Sequence, residues 1–254
     1  MLTHLEGSLL AQSELATFGL KVLDKALGGG LPRGTVLLLE EDTGTKPDAL
    51  VAHFIAEGLR NDEFCYILNT EHPPRMIMKM LASYAIDVQR FVNPGKLFLI
   101  DGFTDAFGWG EFQSDVKHVI HDIRNIREVH DVIRFVVSSV KPKSNLRGVV
   151  DSLSTLLLSS QDERAVFNYV HHQMAAQKNY GNTLIYVLHK GAHKPETVKA
   201  LEHIVDGVIE IRRVEEKYDS KSVLQIQKLR EMQYSTKQYW YQVDAKGVAM
   251  KPRI

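Results

Sequence analysis

Short aliphatic runs alternate with helical patterns along most of this chain, and that alternation limits its fold more than any other feature. Residues 35–40 (TVLLLE), 64–69, 97–101, 148–151 and 183–188 (TLIYVL) have the length and aliphatic character of strands buried on both faces. Residues 49–59, 75–84, 112–127 and 166–178 read as helices, with Val51, Phe54 and Ile55 at helical spacing in the first of them. Parallel strands need crossover connections, so the pattern predicts an α/β domain with a mostly parallel sheet and helices on both faces. After Asp206 the rhythm changes. Residues 208–213, 223–230, 238–243 and 248–251 are short runs separated by turn-forming segments at 217–220 and 244–247. They predict an antiparallel meander that extends the sheet. The 254 residues suit one domain, with 1–17 as an N-terminal extension and 207–254 as the antiparallel extension.

Charge and cysteine usage remove several function classes. Lys+Arg and Asp+Glu both number 31, which argues against a wholly basic nucleic-acid binder while leaving room for a local patch. Cys65 is the sole cysteine, so there is no intrachain disulfide, no thiolate metal site is expected, and the thiol reads as a small buried hydrophobe. Residues 1–14 lack the basic start and apolar run of a signal peptide. No apolar stretch approaches the ~20 residues that span a bilayer. The expectation is a cytoplasmic protein with no membrane partner.

The strand at 35–40 runs into a glycine-bearing loop and then a helix, the setting in which backbone N–H groups and a helix N-terminus cradle phosphate. The working pattern, G-x-x-x-x-G-K-[ST], needs the lysine on the outer phosphates and the hydroxyl on magnesium. Here the loop is Glu41-Asp42-Thr43-Gly44-Thr45-Lys46-Pro47-Asp48. Glu41 takes the first glycine's place and Lys46 the second's. Pro47 stands where the lysine belongs and Asp48 where the hydroxyl belongs. Proline has no N–H to donate. Glu41, Asp42 and Asp48 bring negative charge to a polyphosphate site, where like charges repel strongly once desolvated. Thr43, Gly44, Thr45 and Lys46 are the candidate nucleotide contacts. The loop alone also fits an ordinary strand–helix turn in which Asp48 caps a helix starting at Ala49.

The flanking sequence resembles a known superfamily. FGLKVLDKALGGGLPRG, residues 18–34, is similar to the lead-in of the RecA/RadA/KaiC superfamily, in which such a segment precedes the phosphate-loop strand. Its glycines are expected to allow a tight backbone approach beneath the nucleotide loop. FIAEGL at 54–59 is similar to the helix that follows the loop, and VVDSLS at 149–154 resembles the KaiC-type Walker B strand. Together these matches reach from about residue 18 to 250. The resemblance implies a RecA-like P-loop NTPase fold. It implies Asp151 as the magnesium-orienting carboxylate and Glu71 as the catalytic glutamate that activates water. Family members often carry two adjacent glutamates there; this chain has Thr70-Glu71-His72. Lys228 and Arg230 resemble the finger that reaches a neighbour's nucleotide site and steadies transition-state charge in trans; a solvated strand face is the other reading. ATP with magnesium, weakly held, is the cofactor so implied. Residues 37–59 (LLLEEDTGTKPDALVAHFIAEGL) further resemble the degenerate loop of the fourth subunit of eukaryotic Elongator, part of a hexameric ring that assists tRNA wobble-uridine modification.

In rings of this type the loop after the fifth strand faces the pore. Here it spans 189–199 and carries Lys190, His193, Lys194 and Lys199 as candidate RNA contacts, with Lys141, Lys143 and Arg147 as a second basic cluster. A solvated charged loop fits the same residues. His171-His172 cannot easily chelate one metal, because adjacent helical residues point to different sides, and no metal site is expected. Phe103, Phe107, Trp109 and Phe112 suit an interface or a core plug better than base stacking. Tyr239-Trp240-Tyr241 is expected to pack under the sheet. The leading expectation is a non-catalytic or weakly catalytic RecA/KaiC-like ring subunit, a homo- or hetero-hexamer binding tRNA or another RNA beside other tRNA-modification subunits. A KaiC/RadA-like ATPase with an atypical loop and a KaiC-type regulatory scaffold are the alternatives.

Overall fold

The computed structural model describes residues 15–84, 86–140, 145–217, 219–244 and 247–253. The 1–14 segment, Lys141 and Lys143, and parts of the expected turns at 217–220 and 244–247 lie outside the described residues. In chain order the elements are β1 (Leu15–Ala16), α1 (Lys21–Ala26), β2 (Leu31–Pro32), β3 (Val36–Glu41), α2 (Pro47–Arg60), β4 (Cys65–Asn69), α3 (Pro74–Ser83), α4 (Val88–Val92), β5 (Leu97–Asp101), β6 (His118–Val119), α5 (Ile126–Ser139), β7 (Arg147–Asp151), α6 (Leu153–Ser159), α7 (Glu163–Tyr180), β8 (Thr183–His189), α8 (Pro195–Ile204), β9 (Gly207–Glu216), β10 (Asp219–Leu229), β11 (Gln238–Asp244) and β12 (Gly247–Pro252).

Ten strands form one sheet in the order β12-β11-β10-β9-β3-β8-β7-β4-β5-β6. Pairing is parallel from β9 through β6 and antiparallel from β9 to β12, as the change of rhythm after Asp206 predicts. The pleat sends successive side chains to opposite faces. In β3, Leu37 and Leu39 join a core under α2 with Leu50, Val51, Phe54 and Ile55. Val36 and Leu38 join the opposite core with Val129 and Ile133 of α5, Leu156 of α6 and Val170 of α7. Burying both faces explains why the parallel strands are continuous aliphatic runs.

The expected helix at 112–127 does not form. That stretch is a loop carrying only the two-residue β6, and the helix begins later, at Ile126. Asp101 organises the loop by accepting from the N–H groups of Phe103 and Thr104 (both 2.9 Å) and from Ser114 Oγ (2.6 Å). Asn125 then caps α5 through its side chain, accepting from Arg127 and Glu128 N–H. Val129, Ile133 and Val136 supply that helix's buried stripe. The strand-end carboxylate of Asp101 is therefore a structural group.

The glycine lead-in makes its close approach elsewhere than beneath the nucleotide loop. Gly28 has φ +77, and a Cβ there would lie 2.5 Å from the Gln233 carbonyl oxygen, in the β10–β11 connection. Phe103, Phe107, Trp109 and Phe112 are all exposed, so they plug no core. Tyr239 and Tyr241 are buried under the sheet, whereas Trp240 turns to the other face beside Lys221 and Arg253.

Candidate functional site

The C-terminal ends of β3, β4, β7 and β8 converge, and each delivers a polar residue from an otherwise apolar strand. β3 ends in Glu41, β4 in Asn69 followed by Thr70-Glu71, β7 in Asp151, and β8 in His189. His189 ties three of these strands together. Its Nδ1 lies 2.6 Å from Glu41 Oε1 and its Nε2 2.5 Å from Glu71 Oε1. Glu71 Oε1 also accepts from Ser152 Oγ (2.6 Å) and Thr155 Oγ1 (3.3 Å). Glu41 Oε2 accepts from the buried Thr45 hydroxyl at 3.1 Å. The backbone reinforces the array: Lys190 N–H donates to Glu41 O, and His189 N–H to Ser154 Oγ.

These contacts set the charges. The two carboxylates raise the His189 imidazole to about 10, so it is an imidazolium at neutral pH. The His189 hydrogen bond, aided by Ser152, holds Glu71 down at about 2. Asp151 goes the other way, to about 7, because burial and then the Glu71 charge disfavour its anion. Asn69 Nδ2 donates to Asp151 Oδ2 at 3.1 Å, while Asn69 Oδ1 accepts from Glu71 and His72 N–H and fixes the turn after β4.

The loop between β3 and α2 is anchored on β9 and β11. Asp42 N–H donates to Ile211 O, Asp42 Oδ2 accepts from Arg213 N–H at 2.8 Å, and Tyr241 Oη donates to Lys46 O at 2.9 Å. Lys46 adopts the left-handed conformation, φ +57, at the place that the working pattern gives to glycine. It is the N-cap of α2, with Pro47 at the first helical position. The expected cap at Asp48 is thus wrong by two residues: the helix already includes it, and burial raises its carboxyl. Thr43, Gly44 and Lys46 are exposed, and Thr45 is buried against Glu41.

The other candidate residues sit apart from this cluster. Lys228 Nζ donates to the carbonyls of Glu202, His203 and Val205, and Arg230 donates to those of His203 and Ile204. Both thereby cap the C-terminus of α8, where a helix favours cations. The expected 189–199 loop is shorter, because Pro195 starts α8 and Lys199 lies on that helix. Lys190 pairs with Glu210, Lys194 with Glu163 at 3.8 Å and Lys199 with Glu202 at 2.6 Å. His193 Nε2 lies 2.8 Å from Ser154 Oγ. Arg147 belongs to no surface patch. It is fully buried, bidentate to Glu63 at 2.8 and 2.9 Å, with its guanidinium 4.8 Å from the Phe54 ring centroid. The spacing missed it because β7 begins there and its side chain is drawn inward by Glu63, itself paired with Arg33. The His172 ring lies 5.1 Å from that of His130, and among the described residues no three His, Cys, Asp or Glu side chains are set to ligate a metal. No helix among the described residues is long and apolar enough to cross a membrane.

Sequence reasoning singled out Glu71 and Asp151 but not the His189 bridge. Its signal was the pairing of a histidine at the end of β8 with a glutamate in the loop's first position, which became visible only once β3 and β8 were known to be neighbours.

A parallel sheet that gathers a loop, two acidic strand ends and a polar fifth strand end at one edge defines a RecA-type α/β domain. Within that class, the chain belongs to the KaiC family: the family described as "ATPase: KaiC" matches residues 16–253. Similar curated proteins include a UPF0273 protein of Pyrococcus furiosus, 29% identical over 241 residues and covering 92% of both chains. A UPF0273 protein of Thermotoga maritima is 28% identical over 241 residues, covering 92% of this chain and 94% of its own. Among solved structures, a KaiC-like protein of Pyrococcus horikoshii superposes with a TM-score of 0.72 at 23% identity, covering 94% of this chain and 99% of that one, which speaks to the fold.

Proposed function

We propose that this KaiC-family domain does not turn over ATP at its phosphate loop and works instead as a binding subunit. The observation that carries this reading is the Glu41–His189–Glu71 bridge. It sets two carboxylates where a triphosphate's charge would fall, and it commits Glu71 to an ion pair. A carboxylate held near 2 is a poor general base at neutral pH. Pro47 and Asp48 supply neither the ammonium nor the hydroxyl that a magnesium–triphosphate needs. The residues present therefore do not suit that cofactor, and no hydrolytic step is assigned to them.

For the binding partner, RNA, tRNA included, is the reading supported by one feature. Lys194 and Lys199 have side chains 76% and 69% exposed, and surface pairs of that kind contribute little. Phosphates could displace Glu163 and Glu202 from them, and several copies in a ring would sum the attraction. Calorimetry with ATP and magnesium, together with phosphate release, tests the first part. Neither binding nor turnover is expected, and magnesium-dependent turnover lost in Asp151→Ala would overturn the reading in favour of an atypical ATPase. Filter binding of tRNA to a Lys194→Ala/Lys199→Ala variant tests the second part. Weaker binding with a shallower salt dependence is expected. Light scattering on the eluting protein tests the ring, which a strict monomer would exclude.

A further inference from the structure

Glu40 and Glu41 are neighbours in β3 and, by the pleat, point to opposite faces of the sheet. Glu41 joins the bridge described above. Glu40 lines a separate cavity of about 620 Å³ on the other face, closed by α8 and the ends of β8, β9 and β10. Glu40 is only 5% exposed, and its Oε1 has no hydrogen-bond partner among the described residues. A buried carboxylate oxygen left without a partner is costly, and such groups are ordinarily satisfied.

The charged neighbours do not meet this demand. Lys190 is committed to Glu210, which also accepts from Gln227 Nε2 at 2.7 Å and lies 3.8 Å from Arg212 Nε. Lys199 pairs with Glu202, and Lys228 is spent on three backbone carbonyls. His203 lines the same cavity. Burial first, and then the nearby Glu202 charge, push the Glu40 carboxyl up to about 7; the Glu210 charge and a side-chain hydrogen bond with Glu202 act in the same direction, and Lys190 pulls the other way. The cavity lining also includes Leu188, Val198 and Val208. An acceptor oxygen left without a partner, in a cavity that also presents aliphatic side chains, suits a donor carried on methylene groups. A bare divalent ion would want several oxygen ligands, and no such group is set among the described residues.

We propose that this cavity binds a protonated primary alkylamine, with Glu40 as the anion that receives the ammonium and Leu188, Val198 and Val208 packing its methylenes. The site shares no side chain with the Glu41–His189–Glu71 bridge; Lys190 and Lys199 line it and are also candidate RNA contacts, so its test is placed on Glu40 and Val198, which the RNA reading does not use. Binding is non-covalent. Near neutral pH a proton leaves Glu40 as the ammonium arrives.

The test is calorimetric titration of the full chain with butylamine and with putrescine at pH 7, where both are protonated, repeated in buffers of different ionisation heat. Saturable binding of at least one amine with proton release is expected. Glu40→Gln should weaken it at least about tenfold. Val198→Trp, which narrows the cavity and leaves Glu40 intact, should weaken it as well, so the result does not hang on a single variant; circular dichroism checks that both fold. No saturable heat with either amine overturns the proposal, as does equal binding by a folded Glu40→Gln. Magnesium chloride is titrated in parallel, and magnesium that competes the amines away from wild type but not from Glu40→Gln would instead make this a metal site.

Discussion

Replacing His189 with asparagine would remove the imidazolium and leave Glu41 and Glu71 facing each other across the gap it spans. The folded imidazole titrates at about 10, against an ordinary value of about 6.5, and every tenfold gain in proton affinity corresponds to about 1.4 kcal/mol. Unscreened, the interaction would amount to about 5 kcal/mol. The ring is 30% exposed and Glu71 33%, so solvent screening cuts the figure to about 2 kcal/mol. The sign follows from linkage. A raised pKa stabilises the fold fully below about 6.5 and loses its effect as pH climbs towards about 10. The depressed Glu71 value acts at the other end, stabilising above about 4.5 and fading as pH falls towards 2. The bridge should therefore contribute most between about pH 5 and 6.5. Urea unfolding of wild type and His189→Asn at pH 6 should differ by about 2 kcal/mol, and at pH 9.5 the gap should have shrunk by about four-fifths or more. A difference that stays constant across that range, or is absent at pH 6, would refute the ion-pair account.

Glu40→Gln should stabilise the protein at pH 8 by about 2 kcal/mol and leave it unchanged at pH 4.5, because the raised Glu40 pKa costs stability progressively as pH rises from about 4.5 to about 7 and fully above that; paired thermal melts read this. Gly58→Ala should destabilise by about 2–4 kcal/mol in urea, since its Cβ would sit 2.5 Å from Arg147 Cδ and 2.7 Å from Nε, and Arg147 is locked by Glu63 and two carbonyls. The Cys65 thiol, fully buried and pushed far up by that burial, should resist a thiol reagent until urea unfolds the chain; fast labelling of native protein would contradict its placement.

The sequence by itself determined the architecture, because a parallel sheet covered on both faces writes itself as aliphatic runs and the meander as short runs between turns. Helical period fixed α2, α3 and α7 to within a few residues. It failed at 112–127, where Asp101 holds the chain in a loop through contacts that no periodicity encodes. It also read Arg147 as surface charge, because a buried guanidinium is told from an exposed one by Glu63, 84 residues away in the chain. Glu71 and Asp151 were legible as strand-end carboxylates, and Pro47 and Asp48 as departures from the phosphate-loop pattern. Whether Glu41 meets Glu71 through His189 was decided by strand order alone: β3 lies beside β8, which brings residues 41 and 189 into register. Charge at such a site depends on distances of a few ångströms, and those exist only once the sheet has assembled.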